Sequence, residues 1–366
     1  MMIDMSKVLF VINDNVYPYR TGGMEIFNYH LIKTLGTDLQ ITYMASHKYD
    51  FDSAEFVRSC SLRPARFFTP LWLFIYLLFH REYRHIVFSF SAAHWLVWRL
   101  YTLTVRMLGL KSTVVIHYGK DAPEDHPDVY HDFFSSAKTV IAVSEDIKHK
   151  YDKAYGLDCK VVYPLIPFRR ASQSSSFYRK VYSVPVEANV IAMVGSLKQM
   201  KNPRTLLEAL ILFDRHELDT YRPHAVYAGG GPMEGELKHF VETNGLSEYV
   251  TFLGIVPNDK VCEIMCMADI YLIASDFEGT SVSLLEAMFN ARPIVASDVP
   301  GLRNMIESGR NGLLYEVSSA EGLKECLIEL LSDADKARKL GMSARDSYND
   351  RYDYNRMVET YKELLG

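Results

Sequence analysis

Short apolar runs alternate along this chain with longer amphipathic stretches. Val8-Leu9-Phe10-Val11-Ile12 is apolar at every position and too short for a helix, so it reads as a buried strand. Residues 41–44, 85–89, 113–117 and 139–143 repeat that signature, with helical patterns over 24–35 and 145–155. Ser144 is placed to cap the second of these helices. After residue 185 the pattern restarts. Strands are expected at 190–194, 224–228, 250–253, 270–274 and 293–296, and helices at 203–213, 258–267 and 281–290. Asn202 and Pro203 suit the cap and first turn of the 203–213 helix. Strands alternating with helices specify parallel sheets with crossover helices. Between the two halves lie Pro164, Pro167, Ser172-Gln173-Ser174-Ser175-Ser176 and Pro185, a composition that suits an exposed connection. The expectation is two doubly wound α/β domains, 1–168 and 186–349, facing each other across a cleft. Ligands of such sheets bind beyond the carboxyl ends of the strands.

Composition narrows the function classes. The 366 residues suffice for two full cores, and 48% hydrophobic residues exclude global disorder. A net charge of -5 argues against non-specific nucleic-acid binding. Cys60, Cys159, Cys262, Cys266 and Cys326 show no zinc spacing and read as free thiols. No signal-type leader and no run of about 20 apolar residues is visible, so the expectation is a cytoplasmic protein, with a membrane face as a possible station.

The chemistry concentrates in Ser275-Asp276-Phe277-Glu278-Gly279-Thr280-Ser281-Val282-Ser283-Leu284-Leu285-Glu286-Ala287-Met288. A strand runs out at Ala274, a loop with Gly279 follows, and a helix opens near Ser281. Free amides and the dipole at a helix start attract a diphosphate. Glu278 in the loop and Glu286 in the helix are two carboxylates able to accept hydrogen bonds from vicinal hydroxyls, although two surface glutamates would leave the same trace. Gly195-Ser196-Leu197-Lys198-Gln199-Met200-Lys201-Asn202 also joins a strand to a helix, and Lys198 and Lys201 supply charge for phosphate. Gly229-Gly230-Gly231-Pro232 is a third such junction, equally readable as a tight turn. No Gly-x-Gly-x-x-Gly or Gly-Lys-Ser/Thr phosphate loop occurs, which removes support from dehydrogenases and common ATPases.

The ordered set Gly-Ser-Leu-x3-Lys-Asn, Ala-Gly-Gly-Gly-Pro, Phe-Leu-Gly and Ser-x2-Glu-Gly-x6-Leu-Glu-Ala-Met resembles the retaining glycosyltransferases of family 4. Pro293-Ile294-Val295-Ala296-Ser297 and Gly309-Arg310-Asn311-Gly312-Leu313-Leu314 extend the match, which is specific over about 190–315. The resemblance implies a GT-B fold of two Rossmann-like domains, with a C-terminal helix at about 350–366 crossing back to the first. It implies that Glu278 contacts the transferred sugar and Glu286 the ribose. The backbone of Gly279, Thr280, Ser281 and Val282, with Gly195, Lys198, Lys201 and Gly230, would hold the donor. Ser196 stands where the family often has arginine, a departure that weakens the phosphate site unless Lys198 compensates.

The first half holds the acceptor side in this expectation. Thr21-Gly22-Gly23-Met24-Glu25 opens a helix after the first strand, and Gly22 and Gly23 match a family loop facing the donor. His117 ends a strand and is similar to a family histidine that hydrogen-bonds a sugar hydroxyl. Asp121 and Glu124 follow in a polar loop. Residues 67–79 and 95–110 are strongly apolar and flanked by Arg63, Arg66, Arg81 and Arg84. They suit either a pair of core helices or a surface that dips into one leaflet.

The resulting expectation is a metal-independent, retaining hexosyltransferase. Its donor is a UDP-sugar, or next GDP-mannose, and its acceptor a glycan or lipid-linked hydroxyl, in polysaccharide or glycolipid synthesis. No cofactor is expected, and Asp333-Ala334-Asp335 reads as solvated. An epimerase of the same architecture and a non-catalytic sugar-nucleotide binder are the alternatives.

Overall fold

Seven strands among the described residues form the first sheet. They are β1 (Lys7–Ile12), β2 (Gln40–Ala45), β3 (Ala54–Arg58), β4 (Tyr83–Phe90), β5 (Lys111–Ile116), β6 (Thr139–Ala142) and β7 (Lys160–Val161). All pairings are parallel, in the order β3-β2-β1-β4-β5-β6-β7. The structure is a computed structural model that describes residues 7–12, 23–45, 48, 51, 54–58, 68–90, 94–117 and 123–365, with backbone alone at 23–25. The central strands are buried along nearly their whole length because helices cover both sheet faces. Edge strand β3, Ala-Glu-Phe-Val-Arg, is half-buried and lacks that apolar run, so pattern reading passes over it.

The second sheet comprises β8 (Asn189–Val194), β9 (Pro223–Ala228), β10 (Val250–Gly254), β11 (Ile270–Ile273), β12 (Ile294–Ser297) and β13 (Leu313–Tyr315). Its order is β10-β9-β8-β11-β12-β13, again parallel throughout. Each sheet therefore reverses its winding direction once, between β1 and β4 in the first and between β8 and β11 in the second.

The chain divides into two compact units, Met1–Pro167 with Tyr354–Gly366, and Phe168–Asp353. The helix Tyr354–Leu365 joins the first unit's core through Met357, Val358, Tyr361 and Leu365. Tyr361 Oη donates to the Val162 carbonyl (3.2 Å), Tyr354 shares a hydrogen bond with Thr34 (2.8 Å), and Lys362 pairs with Asp38 (3.0 Å).

Two sequence expectations change. The serine-rich stretch is more than a connection. Ser174 caps a helix, Ser175–Val181, whose Arg179 is buried. The Arg179 guanidinium donates to the carbonyls of Met267, Val186 and Ala188 and to Asp269 (2.7 Å), so each side of its planar fork is used. Serines favour helix caps as readily as linkers, because the same hydroxyl serves both. Asn202 does not cap its helix. It takes a left-handed conformation (φ 47°), the helix begins at Arg204, and the side chain turns elsewhere. Residues 69–79 and 95–108 are both helices packed on each other, each with one buried face and one bare face. Among the described residues no helix is long and apolar enough to cross a membrane.

Candidate functional site

The switch point between β8 and β11 organises the second unit. Open α/β sheets bind ligands where winding reverses, at the carboxyl ends of the strands. Three loops leave the sheet there, after β8, β9 and β11.

The loops after β8 and β9 are joined backbone to backbone. Gly195 N donates to Ala228 O (3.0 Å), Leu197 N to Gly230 O (3.0 Å), and Met233 N to Leu197 O (3.1 Å). A Cβ on Gly229, whose φ is 154°, would lie 1.8 Å from Gly195 O, and one on Gly231 would lie 2.3 Å from Leu197 O. Packing alone therefore demands glycine at these two positions. At Gly230 the nearest atom is a side-chain carbon of Ile255 (3.0 Å), which can give way. Ser196 is half-buried, and Lys198 is exposed with no carboxylate paired to it among the described residues.

The loop after β11 carries the central cluster. Ser275 is fully buried, and its hydroxyl donates to Glu278 Oε1 (2.8 Å). Lys201, in the short turn Gln199–Lys201, donates to the same oxygen. Glu278 is itself buried, so its charge is matched by an ammonium and a hydroxyl rather than by water. The Ser275 carbonyl accepts from buried Ser297 (2.6 Å), and Asp276 N donates to Met200 O (3.0 Å). Asn202 completes the frame by donating to Asp276 (3.2 Å) and to Ser318 (2.9 Å). Thus one amide side chain ties together three separate loops.

Helix Val282–Phe289 starts directly after this cluster. Ser281 is its cap, accepting from Leu284 N at 3.4 Å. The amides of Val282 and Ser283 have no intrahelical carbonyl to bond, which leaves the positive end of the helix open to an anion. Tyr271 Oη donates to Ser283 Oγ (2.7 Å) from beneath. Glu286 lies in the fifth position of the helix and is buried. Burial pushes its carboxyl up to about 8. A protonated carboxyl both donates and accepts, so it suits a partner with paired hydroxyls. The thiol of Cys262, on the helix Val261–Met267, is pushed up by its own burial and next by the charge of Glu286.

Gly301 is a residue that sequence reasoning missed. A Cβ there would lie 1.9 Å from the carbonyl oxygen of Glu278 and 2.9 Å from that of Gly279. The short helix Pro300–Arg303 thereby presses on the loop that presents Glu278. Its only sequence trace is Pro300-Gly301 after a strand, which reads as an ordinary turn. Asp333 caps the helix Ala334–Arg351 and Asp335 pairs with Arg338 (2.8 Å). Among the described residues no group of three or more His, Cys, Asp or Glu is gathered to hold a metal.

In the first unit, His117 directly follows β5 and meets Phe27 edge to face, with ring centroids 4.6 Å apart. Phe27 belongs to the helix Gly23–Leu35, which begins at the carboxyl end of β1. The histidine ring is half-buried, and its Nε2 is sealed with no hydrogen-bond partner among the described residues. Burial pulls its pKa down to about 3, so the ring is neutral. Gly23 opens that helix, whereas Gly22 and Asp121 lie outside the described residues, and Glu124 is exposed.

Residues 174–347 match the family model described as Glycosyl transferases group 1. The chain is 23% identical over 250 residues to N-acetyl-alpha-D-glucosaminyl L-malate synthase of Bacillus anthracis, covering 68% of this chain and 61% of that protein. It is 29% identical over 196 residues to D-inositol 3-phosphate glycosyltransferase of Corynebacterium urealyticum, covering 51% and 46%. The chain thus spans about half to three-fifths of these relatives. Among solved structures it is similar to Anabaena HepE in complex with UDP and glucose, with a TM-score of 0.79, 18% identity, and coverage of 98% and 99%. Sucrose-phosphate synthase from Thermosynechococcus elongatus gives a TM-score of 0.78 at 17% identity, with 98% of each chain covered. The fold is GT-B, built of two parallel-sheet α/β domains.

Proposed function

We propose that this protein moves a hexose-type sugar from a nucleoside-diphosphate sugar to a hydroxyl of a glycan or lipid-linked acceptor, a reading supported by the match of residues 174–347 to the model described as Glycosyl transferases group 1. One observation carries the reading. Buried Glu278 is held by Ser275 and Lys201 beside the open start of helix Val282–Phe289, at a sheet switch point.

In this reading Glu278 orients the transferred sugar through its hydroxyls, and Glu286 takes the ribose. Lys201 and the helix amides stabilise the charge that develops on the departing diphosphate, an effect largest where water is excluded. Glycines 195, 230 and 279, with Ser196, Lys198, Thr280, Ser281 and Val282, line the donor. His117 and the Gly22-Gly23 loop belong to the acceptor side of the reaction in this reading. A UDP-sugar is favoured over GDP-mannose, since the similar HepE is described with UDP. The transfer retains configuration and uses no metal. The setting of this reading is polysaccharide or glycolipid synthesis on the cytoplasmic face.

The test begins with thermal shifts against UDP, GDP and their sugars. A ligand at one hundred times its Kd stabilises the native state by about 2.7 kcal/mol. UDP compounds are expected to raise the melting temperature. Donor hydrolysis or transfer is then expected to vanish in Glu278→Ala and Glu286→Ala while both remain folded. Normal transfer in both variants would defeat the assignment.

A further inference from the structure

Helix Thr69–Phe79 contains no charged residue. Its Thr69, Pro70, Leu73 and Leu77 are buried in the first unit. The opposite stripe is bare. Leu71, Trp72, Ile75, Leu78 and Phe79, with Phe68 just before the helix, are between 38% and 81% exposed. Their three- and four-residue spacing puts them on one helix face. The helix Trp95–Leu108, packed alongside, leaves Leu96, Leu103 and Met107 bare. Eight of the sixteen exposed large apolar side chains among the described residues lie on this helix pair and a ninth, Phe68, adjoins it, so they form a patch rather than scatter.

Charge selects what covers it. Residues 68–111 carry Arg81, Arg84, Arg99, Arg106 and Lys111 against the single carboxylate Glu82, in a chain of net charge -5. Glu82 is engaged by His80 (3.2 Å) and Lys7 (4.0 Å), and Arg106 by Asp132. Arg81, Arg84 and Arg99 are exposed and have no carboxylate partner among the described residues. A second copy docked face to face would set these arginines against their own duplicates. An anionic bilayer offers acyl chains to the stripe and phosphates to the rim. Within the stripe, Trp72 Nε1 donates to Arg58 O (3.1 Å).

We propose that helix Thr69–Phe79 inserts its bare stripe into one leaflet of an anionic membrane, with Arg81, Arg84 and Arg99 meeting lipid phosphates, so that the acceptor is carried on a lipid. The acceptor clause rests on the transferase reading; the membrane contact does not.

Flotation of the full chain with phosphatidylcholine vesicles, with and without about a third phosphatidylglycerol, tests this. The protein is expected to float with the anionic vesicles and several-fold less with the neutral ones or in high salt. Ile75→Glu with Phe79→Glu is expected to cut the bound fraction about tenfold. Arg81→Glu with Arg84→Glu is expected to remove the anionic preference. Far-ultraviolet circular dichroism and melting temperature report that each variant is folded. Wild type that stays down with anionic vesicles, or variants that float like wild type, overturn the proposal. So does a concentration-dependent dimer, lost in Ile75→Glu with Phe79→Glu, that appears in place of flotation. Intact flotation without any nucleotide-sugar thermal shift would sink the transferase reading and leave the membrane contact standing.

Discussion

Replacing Glu286 by glutamine should make the second unit more stable, by an amount that grows with pH. The side chain is buried in helix Val282–Phe289, and burial lifts its pKa from the usual 4.5 to about 8. Between those values the unfolded chain has released the proton and the folded chain still holds it. The folded state then binds more protons, so stability falls as pH rises through this window. Below 4.5 both states are protonated and the penalty disappears; above 8 it has reached its full value. Each pH unit in the window is worth about 1.4 kcal/mol. At neutral pH the wild-type penalty is thus about 3 kcal/mol, from the distance between neutrality and the usual value. Glutamine has nearly the same shape and never ionises, so it escapes the penalty. Urea denaturation of both proteins, read by a probe in the second unit at several pH values from about 4.5 to 8, measures the difference. A difference that stays constant across that range would refute the reasoning, because any pH-independent effect of the amide cancels in the slope.

Gly301→Ala should lower stability by about 2–4 kcal/mol, since its new Cβ would lie 1.9 Å from Glu278 O and something must shift. The same shift moves the Glu278 loop, so the loss of donor affinity should exceed that of a control alanine at the surface; calorimetric titration with the donor checks it. Removal of divalent ions with a chelator should leave the transfer rate within about twofold, because Lys201 and the helix amides carry the phosphate charge in this reading. A loss restored by added magnesium or manganese would reject it.

Much of the fold was legible because buried parallel strands write themselves as continuous apolar runs. Residues 8–12, 190–194 and 270–274 fall on β1, β8 and β11 to within a residue or two. The strands that escaped notice are short or at an edge. β3 is half-exposed, β7 has two residues and β13 three, too few to establish a pattern. The serine run misled because its hydroxyls serve a helix cap as well as a solvated linker, and nothing local announces that Arg179 is buried against Met267 and Asp269.

At the candidate site, the chain itself determined the chemical types and their order. A loop with Glu278 and Gly279, a helix start at Ser281 and a lysine at 201 are all local features, dictated by turn chemistry and helix capping. Tertiary structure alone decided which of them meet. Lys201 reaches Glu278 across 77 positions, Asn202 reaches Ser318 across 116, and Gly301 presses on Glu278 from a separate loop. Tertiary structure also left one face of helix Thr69–Phe79 bare, though the sequence is apolar on both. The physical reason is the same in each case. Propensity and periodicity act over a few residues, whereas contacts and burial depend on strand order, and strand order is set within each unit by how its whole core packs.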